Sequence, residues 1–253
     1  MTDLKIEIIN QLEDNYSYLL HDNSYFGIVV DPADDEKIIN VLESKKIKLE
    51  SIFITHHHSD HTSGVLGLIK KFPNAQIYSP SELFSIKFNK ISNNSKVKTT
   101  LNEFEILSAP GHTLDHVVLC DHKNKFLFVG DVLFRLGCGR VFEGTIEQMH
   151  ESLNKILNFP DDMKVFCGHE YTLNNLKFLE NFFIKNIILD NAKAKILNDL
   201  KIQNRTIPFL LGDEKKSNPF LNPNCQMSSE FKRNNSFSNL QFFRYLRERK
   251  DNF

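Results

Sequence analysis

Seven consecutive residues, Thr55-His56-His57-His58-Ser59-Asp60-His61, contain four side chains suited to binding metal ions. They follow the apolar run Ile52-Phe53-Ile54, which reads as a buried strand ending in a turn. In extended chain His56 and His58 point to one side, while His57 and Ser59 point away. Asp60 and His61 then stand at the start of an expected helix, Ser63 to Phe72, with apolar Val65, Leu66, Leu68 and Ile69. A second pair of donors therefore faces the first. Imidazole nitrogen with carboxylate oxygen suits zinc or another borderline first-row ion. Four donors in so short a span can hold one ion or divide between two.

Three later segments repeat one arrangement, in which a strand runs toward a glycine that stands directly before a donor. Phe104 to Ser108 leads to Gly111-His112-Thr113, Phe126 to Val129 leads into Gly130-Asp131, and Val165 to Cys167 leads into Gly168-His169-Glu170. The glycine lets the backbone turn sharply or approach another group closely. The candidates are then five histidines (His56, His58, His61, His112, His169) and two aspartates (Asp60, Asp131). That count makes two sites, three histidines at one and two histidines with Asp60 at the other, with Asp131 shared. Two divalent ions less two carboxylates and one hydroxide leave a formal charge of about +1, which favours an anionic substrate or intermediate. His21, His57, His116, His122 and His150 read as structural or solvated. Among them His116 is the candidate to support His112, four residues earlier.

The elements that must carry these donors are legible in outline. Leu4 to Ile9 alternates like an edge strand, and Tyr16 to Leu20 with Tyr25 to Val30 forms a hairpin across His21-Asp22-Asn23-Ser24. Asp31-Pro32 stops that strand, Asp34 to Ser44 has helical spacing, and Ser51 to Thr55 is the strand that leads to the histidines. Gln76 to Tyr78 and Val117 to Cys120 are further strands. After residue 171 the texture becomes helical, over Leu173 to Ile187, Ile188 to Ile202 and a final Ser238 to Lys250. Proline-marked extended segments, Thr206 to Phe209 and Asn218 to Pro223, lie between them. The expectation is an α+β fold with a mixed domain over 1–170 and a smaller helical domain over 171–253.

The 253 residues are 41% hydrophobic, enough for a full core. A net charge of -1 offers no global argument for a nucleic acid or a membrane surface as partner. No run approaches the ~20 apolar residues that span a bilayer. Met1 to Asn10 lacks a basic start followed by a long apolar run, so no secretory signal is expected. Cys120, Cys138, Cys167 and Cys225 show no CxxC spacing and read as reduced thiols of a cytosolic protein.

With this donor series assembled, the chain resembles the metallo-β-lactamase superfamily, and within it the glyoxalase II, or hydroxyacylglutathione hydrolase, family. The general likeness lies in His56-x-His58-x-Asp60-His61, Gly111-His112-Thr113, Gly130-Asp131 and Gly168-His169. More specific are Gly130 to Phe134, Gly137 to Thr145, Cys167 to Phe178, Asn218-Pro219-Phe220 and Lys250-Asp251. The resemblance implies an αββα sandwich as the catalytic domain and a C-terminal helical domain that binds glutathione. It implies that His56, His58 and His112 hold one metal, that Asp60, His61 and His169 hold the other, and that Asp131 bridges. Asp131 and Asp60 are then the carboxylates of the catalytic centre. Two divalent ions are expected, zinc first, with iron or manganese as alternatives.

Arg140, Tyr171, Arg247 and Lys250 take the places that hold the glycine carboxylate of glutathione in that family. Arg140 stands where the family usually has lysine, which keeps the charge but changes its geometry. Phe142 stands where tyrosine is common, removing a hydrogen bond worth roughly 0.5 to 1.5 kcal/mol. The implied reaction is hydrolysis of S-(2-hydroxyacyl)glutathione, typically S-D-lactoylglutathione, to glutathione and D-lactate, the second step of methylglyoxal detoxification. A cytoplasmic monomer without nucleic-acid or membrane partners is expected. The rival readings are a β-lactamase, which typically has cysteine at the place of Asp131, a mononuclear-iron persulfide dioxygenase using His56, His112 and Asp131, and a non-catalytic metal-binding or RNA-processing module.

Overall fold

Short apolar runs closed by polar turns build the sheet that carries the histidine stretch. The structure is a computed structural model and describes residues 4–253, so residues 1–3 of the Met1 to Asn10 segment lie outside the described residues. The chain divides into two compact units, residues 1–108 with 115–130, and residues 109–114 with 131–253.

In the first unit, β1 (Lys5–Gln11), β2 (Asn15–His21), β3 (Phe26–Val30), β4 (Lys48–Phe53), β5 (Gln76–Ser79) and β6 (Asn89–Lys90) form one sheet in sequence order. The expected edge strand is β1, and the expected hairpin is β2 with β3. The pairs β1–β2 and β2–β3 are antiparallel, whereas β3 to β6 run parallel. Parallel neighbours need crossovers. Helix α1 (Glu36–Ser44) makes the first, and α2 (Ser59–Thr62) with α3 (Val65–Lys71) makes the second. Ile38 and Leu42 of α1 and Val65 and Leu68 of α3 pack on Leu19, Val29, Ile52 and Ile54 in one buried cluster.

The second crossover differs from the single helix expected over 63–72. Helical backbone already starts at Ser59 and breaks at Ser63-Gly64. Gly64 N donates to Pro32 O at 2.9 Å, and a Cβ on Gly64 would sit 2.8 Å from the Asp34 carbonyl carbon. Only glycine allows this approach, and it splits the helix. Asp60 and His61 consequently ride on a short turn of their own.

Four further strands, β7 (Lys96–Lys98), β8 (Glu103–Ser108), β9 (Val117–Asp121) and β10 (Phe126–Gly130), form an antiparallel meander. Its aromatic rings meet those of the first sheet: Phe104 lies 4.9 Å from Phe53 and Phe128 lies 5.4 Å from Tyr18, centroid to centroid. The end of β4 is therefore covered by helices on one face and by the meander on the other. This explains why Ile52-Phe53-Ile54 is continuously apolar rather than alternating.

The second unit holds the hairpin of β11 (Leu133–Phe134) and β12 (Gly137–Cys138), and the paired strands β13 (Lys164–Cys167) and β14 (Phe209–Leu210). Its helices are α4 (Ile146–Leu157), α5 (Thr172–Phe182), α6 (Ile187–Gln203), α7 (Leu211–Ser217), α8 (Ser229–Asn234) and α9 (Asn239–Asp251). Helix α4 was not anticipated. Thr145 and Gln148 close a capping box at its start, and Met149, Leu153 and Ile156 form its buried face. A matching box of Ser238 and Gln241 starts α9. Helix α5 ends earlier than expected, because Asn186 caps a new helix by accepting from Ile188 N and Leu189 N. Mixed sheets followed by a helical C-terminal part agree with the α+β class expected.

Candidate metal centre

Beyond β4 the chain passes through Ile54, Thr55 and His56, all fully buried, so their polar atoms need protein partners. Asp31, just past β3 at a left-handed φ of 51°, supplies them. Its Oδ1 accepts from Thr55 N at 2.8 Å, and its Oδ2 accepts from the Thr55 hydroxyl at 2.7 Å and from His61 Nδ1 at 3.0 Å. Thr55 Oγ1 also lies 3.1 Å from His56 Nδ1. The hydroxyl proton goes to Asp31, so the hydroxyl oxygen accepts from His56 Nδ1–H. The network thus assigns the proton of both His56 and His61 to Nδ1, and each ring presents a lone pair at Nε2.

His56 Nε2 stands 3.1 Å from His58 Nδ1, so these two rings turn their nitrogens to one side as expected. His57 turns elsewhere, to Asp115 at 3.0 Å. Asp60 Oδ2 lies 3.8 Å from His61 Nε2 and accepts from Asn15 Nδ2 at 3.0 Å. His116, expected beside His112, stacks on His56 with ring centroids 4.7 Å apart. The glycine before Asp131 is needed where it stands. Gly130 has φ +45°, and a Cβ there would lie 2.5 Å from Thr55 Oγ1 and 2.7 Å from His116 Nε2.

The second unit holds the remaining donors. His112 belongs to the 109–114 excursion, which the loop after β12 ties down: Phe142 N and Glu143 N donate to His112 O, and Leu114 N donates to the Glu143 carboxylate at 2.9 Å. His112 Nδ1–H donates to Arg140 O at 2.9 Å, which leaves its lone pair on Nε2. That nitrogen stands 3.5 Å from Asp131 Oδ2, and His169 Nε2 stands 3.2 Å from the same oxygen. A lone pair and a carboxylate oxygen at such spacing repel unless a cation is shared between them. Imidazole nitrogen and carboxylate oxygen are donors that suit a divalent first-row ion, so the residues present fit such a metal. Tyr171 stacks on His169 at 4.6 Å and 9°, and Phe134 meets Tyr171 edge-on at 5.0 Å.

A basic cluster lies in the same unit. Arg247, 2% exposed, donates from Nη1 to Cys138 O at 2.9 Å and from Nη2 and Nε to Asp251 Oδ1 at 2.7 and 3.1 Å. Its guanidinium also stands over the Phe220 ring at 5.5 Å. Lys250 donates to Asn174 O at 3.2 Å, between the rings of Phe178 and Phe253. Burial first, then repulsion by Arg247 and Arg140, push Lys250 down to about 8. Arg140 is exposed, with its Nε 3.8 Å from Asp251. Three cations around one carboxylate leave an excess of positive charge that attracts an anion.

Residues 12–169 match the model of the metallo-β-lactamase superfamily, which is more than half of the chain. The chain belongs to the metallo-β-lactamase superfamily. Residues 170–253 match the model described as hydroxyacylglutathione hydrolase C-terminus. The two matches together put the chain in the glyoxalase II branch and make it a thioester hydrolase. The His and Asp donors of the chain together with the superfamily match support divalent metal binding.

Solved structures agree on the fold. The chain is similar to ETHE1 from Myxococcus xanthus (21% identity, 96% of this chain and 89% of that one, TM-score 0.68). It is similar to a metallo-β-lactamase from Staphylococcus aureus subsp. aureus COL (18% identity, 98% and 71%, TM-score 0.65). It is also similar to TTHA1623 in a di-iron-bound form (20% identity, 85% and 99%, TM-score 0.62). Likenesses at this identity speak for fold alone. Among the described residues no helix is long and apolar enough to cross a membrane. The four cysteines are buried thiols outside any disulfide, and burial pushes them up, Cys120 to about 12, so none is a ready nucleophile.

Proposed function

We propose that the protein hydrolyses S-(2-hydroxyacyl)glutathione, typically S-D-lactoylglutathione, to glutathione and a 2-hydroxy acid. In this reading His56, His58 and His112 hold one divalent ion, Asp60, His61 and His169 hold a second, and Asp131 is shared. Zinc is the first candidate, with iron or manganese as alternatives. Residues 1–170 carry the chemistry and 171–253 the recognition of glutathione. The observation that carries the reading is the match of residues 170–253 to the hydroxyacylglutathione hydrolase C-terminus, joined to a full donor series in one chain.

When bound, such ions would supply Lewis acidity toward the thioester carbonyl and would lower the pKa of water to about 7, which provides the nucleophile at neutral pH. Asp31 and Arg140 O keep the lone pairs of His56, His61 and His112 aimed before substrate arrives, so no reorganisation is needed during reaction. Asp131 contributes a carboxylate that orients the attacking water. Arg140 and Lys250 attract the glycine carboxylate of the substrate, Tyr171 offers a phenol beside it, and Arg247 adds charge from beneath. The carbon–sulfur bond breaks, the acyl group takes the hydroxyl, and the glutathione thiolate takes up a proton from solvent. The reading takes the protein as a cytoplasmic monomer acting in methylglyoxal detoxification, in keeping with four cysteines that lack CxxC spacing.

The test is metal analysis alongside glutathione release from S-D-lactoylglutathione. Turnover that requires two divalent ions per chain is expected. Metal-replete protein that releases no glutathione, yet consumes oxygen with glutathione persulfide, would overturn the reading in favour of a dioxygenase.

A further inference from the structure

A hairpin with two residues in each strand does not hold its own shape, and β11–β12 has only that length. Two buried side chains from the end of α7 hold it. Asn218 Nδ2 donates to Phe134 O at 3.1 Å and to Gly137 O at 3.0 Å, one carbonyl from each strand. Glu214 Oε2 accepts from Leu136 N at 2.7 Å, at the turn where Leu136 has φ 58°, and from Asn218 Nδ2 at 3.0 Å. Asn218 is fully buried and Glu214 is 2% exposed. At such depth, removing one partner leaves the others unpaired.

The carboxamide also faces the other way. Asn218 Oδ1 accepts from Phe220 N at 3.0 Å and from Leu221 N at 3.3 Å. One side chain therefore fixes both the hairpin and Phe220. Both of these hold Arg247, the hairpin through Cys138 O and Phe220 through its ring face. Arg247 fixes Asp251, which faces Arg140, and Phe134 on the opposite strand of the hairpin sets Tyr171.

We propose that Asn218, braced by Glu214, is the positioning residue for the glutathione-binding end: it fixes the β11–β12 hairpin and Phe220, and through them Arg247, Arg140 and Tyr171. This rests on the function proposed above. Asn218 touches no reacting atom in this scheme. Its effect falls on recognition of the glycine carboxylate, not on the chemistry of the thioester.

The decisive variants keep the size of each side chain. Asn218→Asp replaces two donors with an oxygen facing three acceptors. It is expected to raise KM for S-D-lactoylglutathione about tenfold or more, while kcat/KM for a short thioester lacking the glycine carboxylate, and metal content, stay within about twofold. Glu214→Met, without an acceptor, is expected to share that rise. Glu214→Gln keeps one oxygen for both donors and is expected to restore the wild-type KM. Equal KM values in Glu214→Met and Glu214→Gln overturn the proposal, as does a parallel loss on both thioesters with loss of metal. If Asn218→Asp does not fold, the Glu214 pair decides alone. Amide hydrogen exchange over Leu133 to Cys138 separates a failure here from a failure of the proposed function. Faster exchange in Glu214→Met but not in Glu214→Gln upholds the clamp even in a protein inactive on S-D-lactoylglutathione. Unchanged exchange in both overturns it.

Discussion

His61 Nδ1 stands 3.0 Å from Asp31 Oδ2 in a region where His61 is 1% and Asp31 is 3% exposed. The same carboxylate takes both donors of Thr55, and Thr55 in turn orients His56. Asp31 therefore sets the tautomer of two expected ligands, one for each ion. An amide at this position has a single acceptor oxygen for three donors. Asp31→Asn is expected to lower metal affinity by roughly 10- to 100-fold, the usual effect of losing an orienting partner. Competition against a chelator measures this, and affinity like the wild type would remove Asp31 from the role.

Gly130 is the hinge between β10 and Asp131, and its neighbours cannot give way. Thr55 is bound to Asp31, and His116 is stacked on His56. Gly130→Ala places a methyl group 2.5 Å from Thr55 Oγ1 at a positive φ. The expected cost is on the order of 1 to 3 kcal/mol of folding stability, together with weakened metal retention, because Thr55 and Asp131 must shift. Denaturant unfolding with metal analysis checks both. A variant unaltered in midpoint and metal content would show that the backbone relaxes without disturbing the donors.

The expected donors stand out in the sequence because metal binding restricts residue type and because each follows a strand end, directly or, for Asp60 and His61, on the short helical turn after it. The strand leading to His56 and the side on which His56 and His58 meet followed from the period of extended chain. Asp31 was legible only as a turn residue. Asp-Pro after a strand is an ordinary stop signal, and only the fold shows its carboxylate turned toward residues 55 and 61. Asn218 was legible as part of a family motif but not for what it does, since the two hairpin carbonyls it binds lie more than eighty residues away in sequence. Helix α4 carries a capping box, Thr145 and Gln148, and a periodic buried face, so its signal is present in the sequence. The two-residue strands β11, β12 and β14 are too short for any periodicity to mark them.

Lys250 gives the glutathione-binding end a pH dependence. Burial and two neighbouring cations hold its ammonium down at about 8, while a glycine carboxylate stays negative across the same range. The cation is present below that value and lost above it. KM for S-D-lactoylglutathione is therefore expected to be flat toward pH 7 and to rise through about 8. Lys250→Met is expected to show a raised KM with no inflection there. Steady-state kinetics across this range check it, and an unchanged inflection in Lys250→Met would assign the titration to another group.

Glu214 makes a second pH effect, on stability. Burial, the largest cause, pushes its carboxyl up to about 7 from an ordinary 4.5, and Leu136 N–H, Arg135 and Asn218 offset this only in part. The folded protein then binds the proton more tightly than the unfolded chain does. The associated stability is fully present below about 4.5 and is lost as pH rises through about 7. Glutamine does not ionise and keeps an acceptor for Leu136 N and Asn218 Nδ2. Between pH 5 and pH 8 the unfolding free energy of Glu214→Gln relative to wild type is expected to shift in favour of the variant, by on the order of 3 kcal/mol at most. Chemical denaturation of both proteins at each pH measures the difference directly. A difference that stays constant with pH would mean that Glu214 has the same proton affinity folded and unfolded, and that its charge is already fully compensated by Arg135 and the two N–H donors.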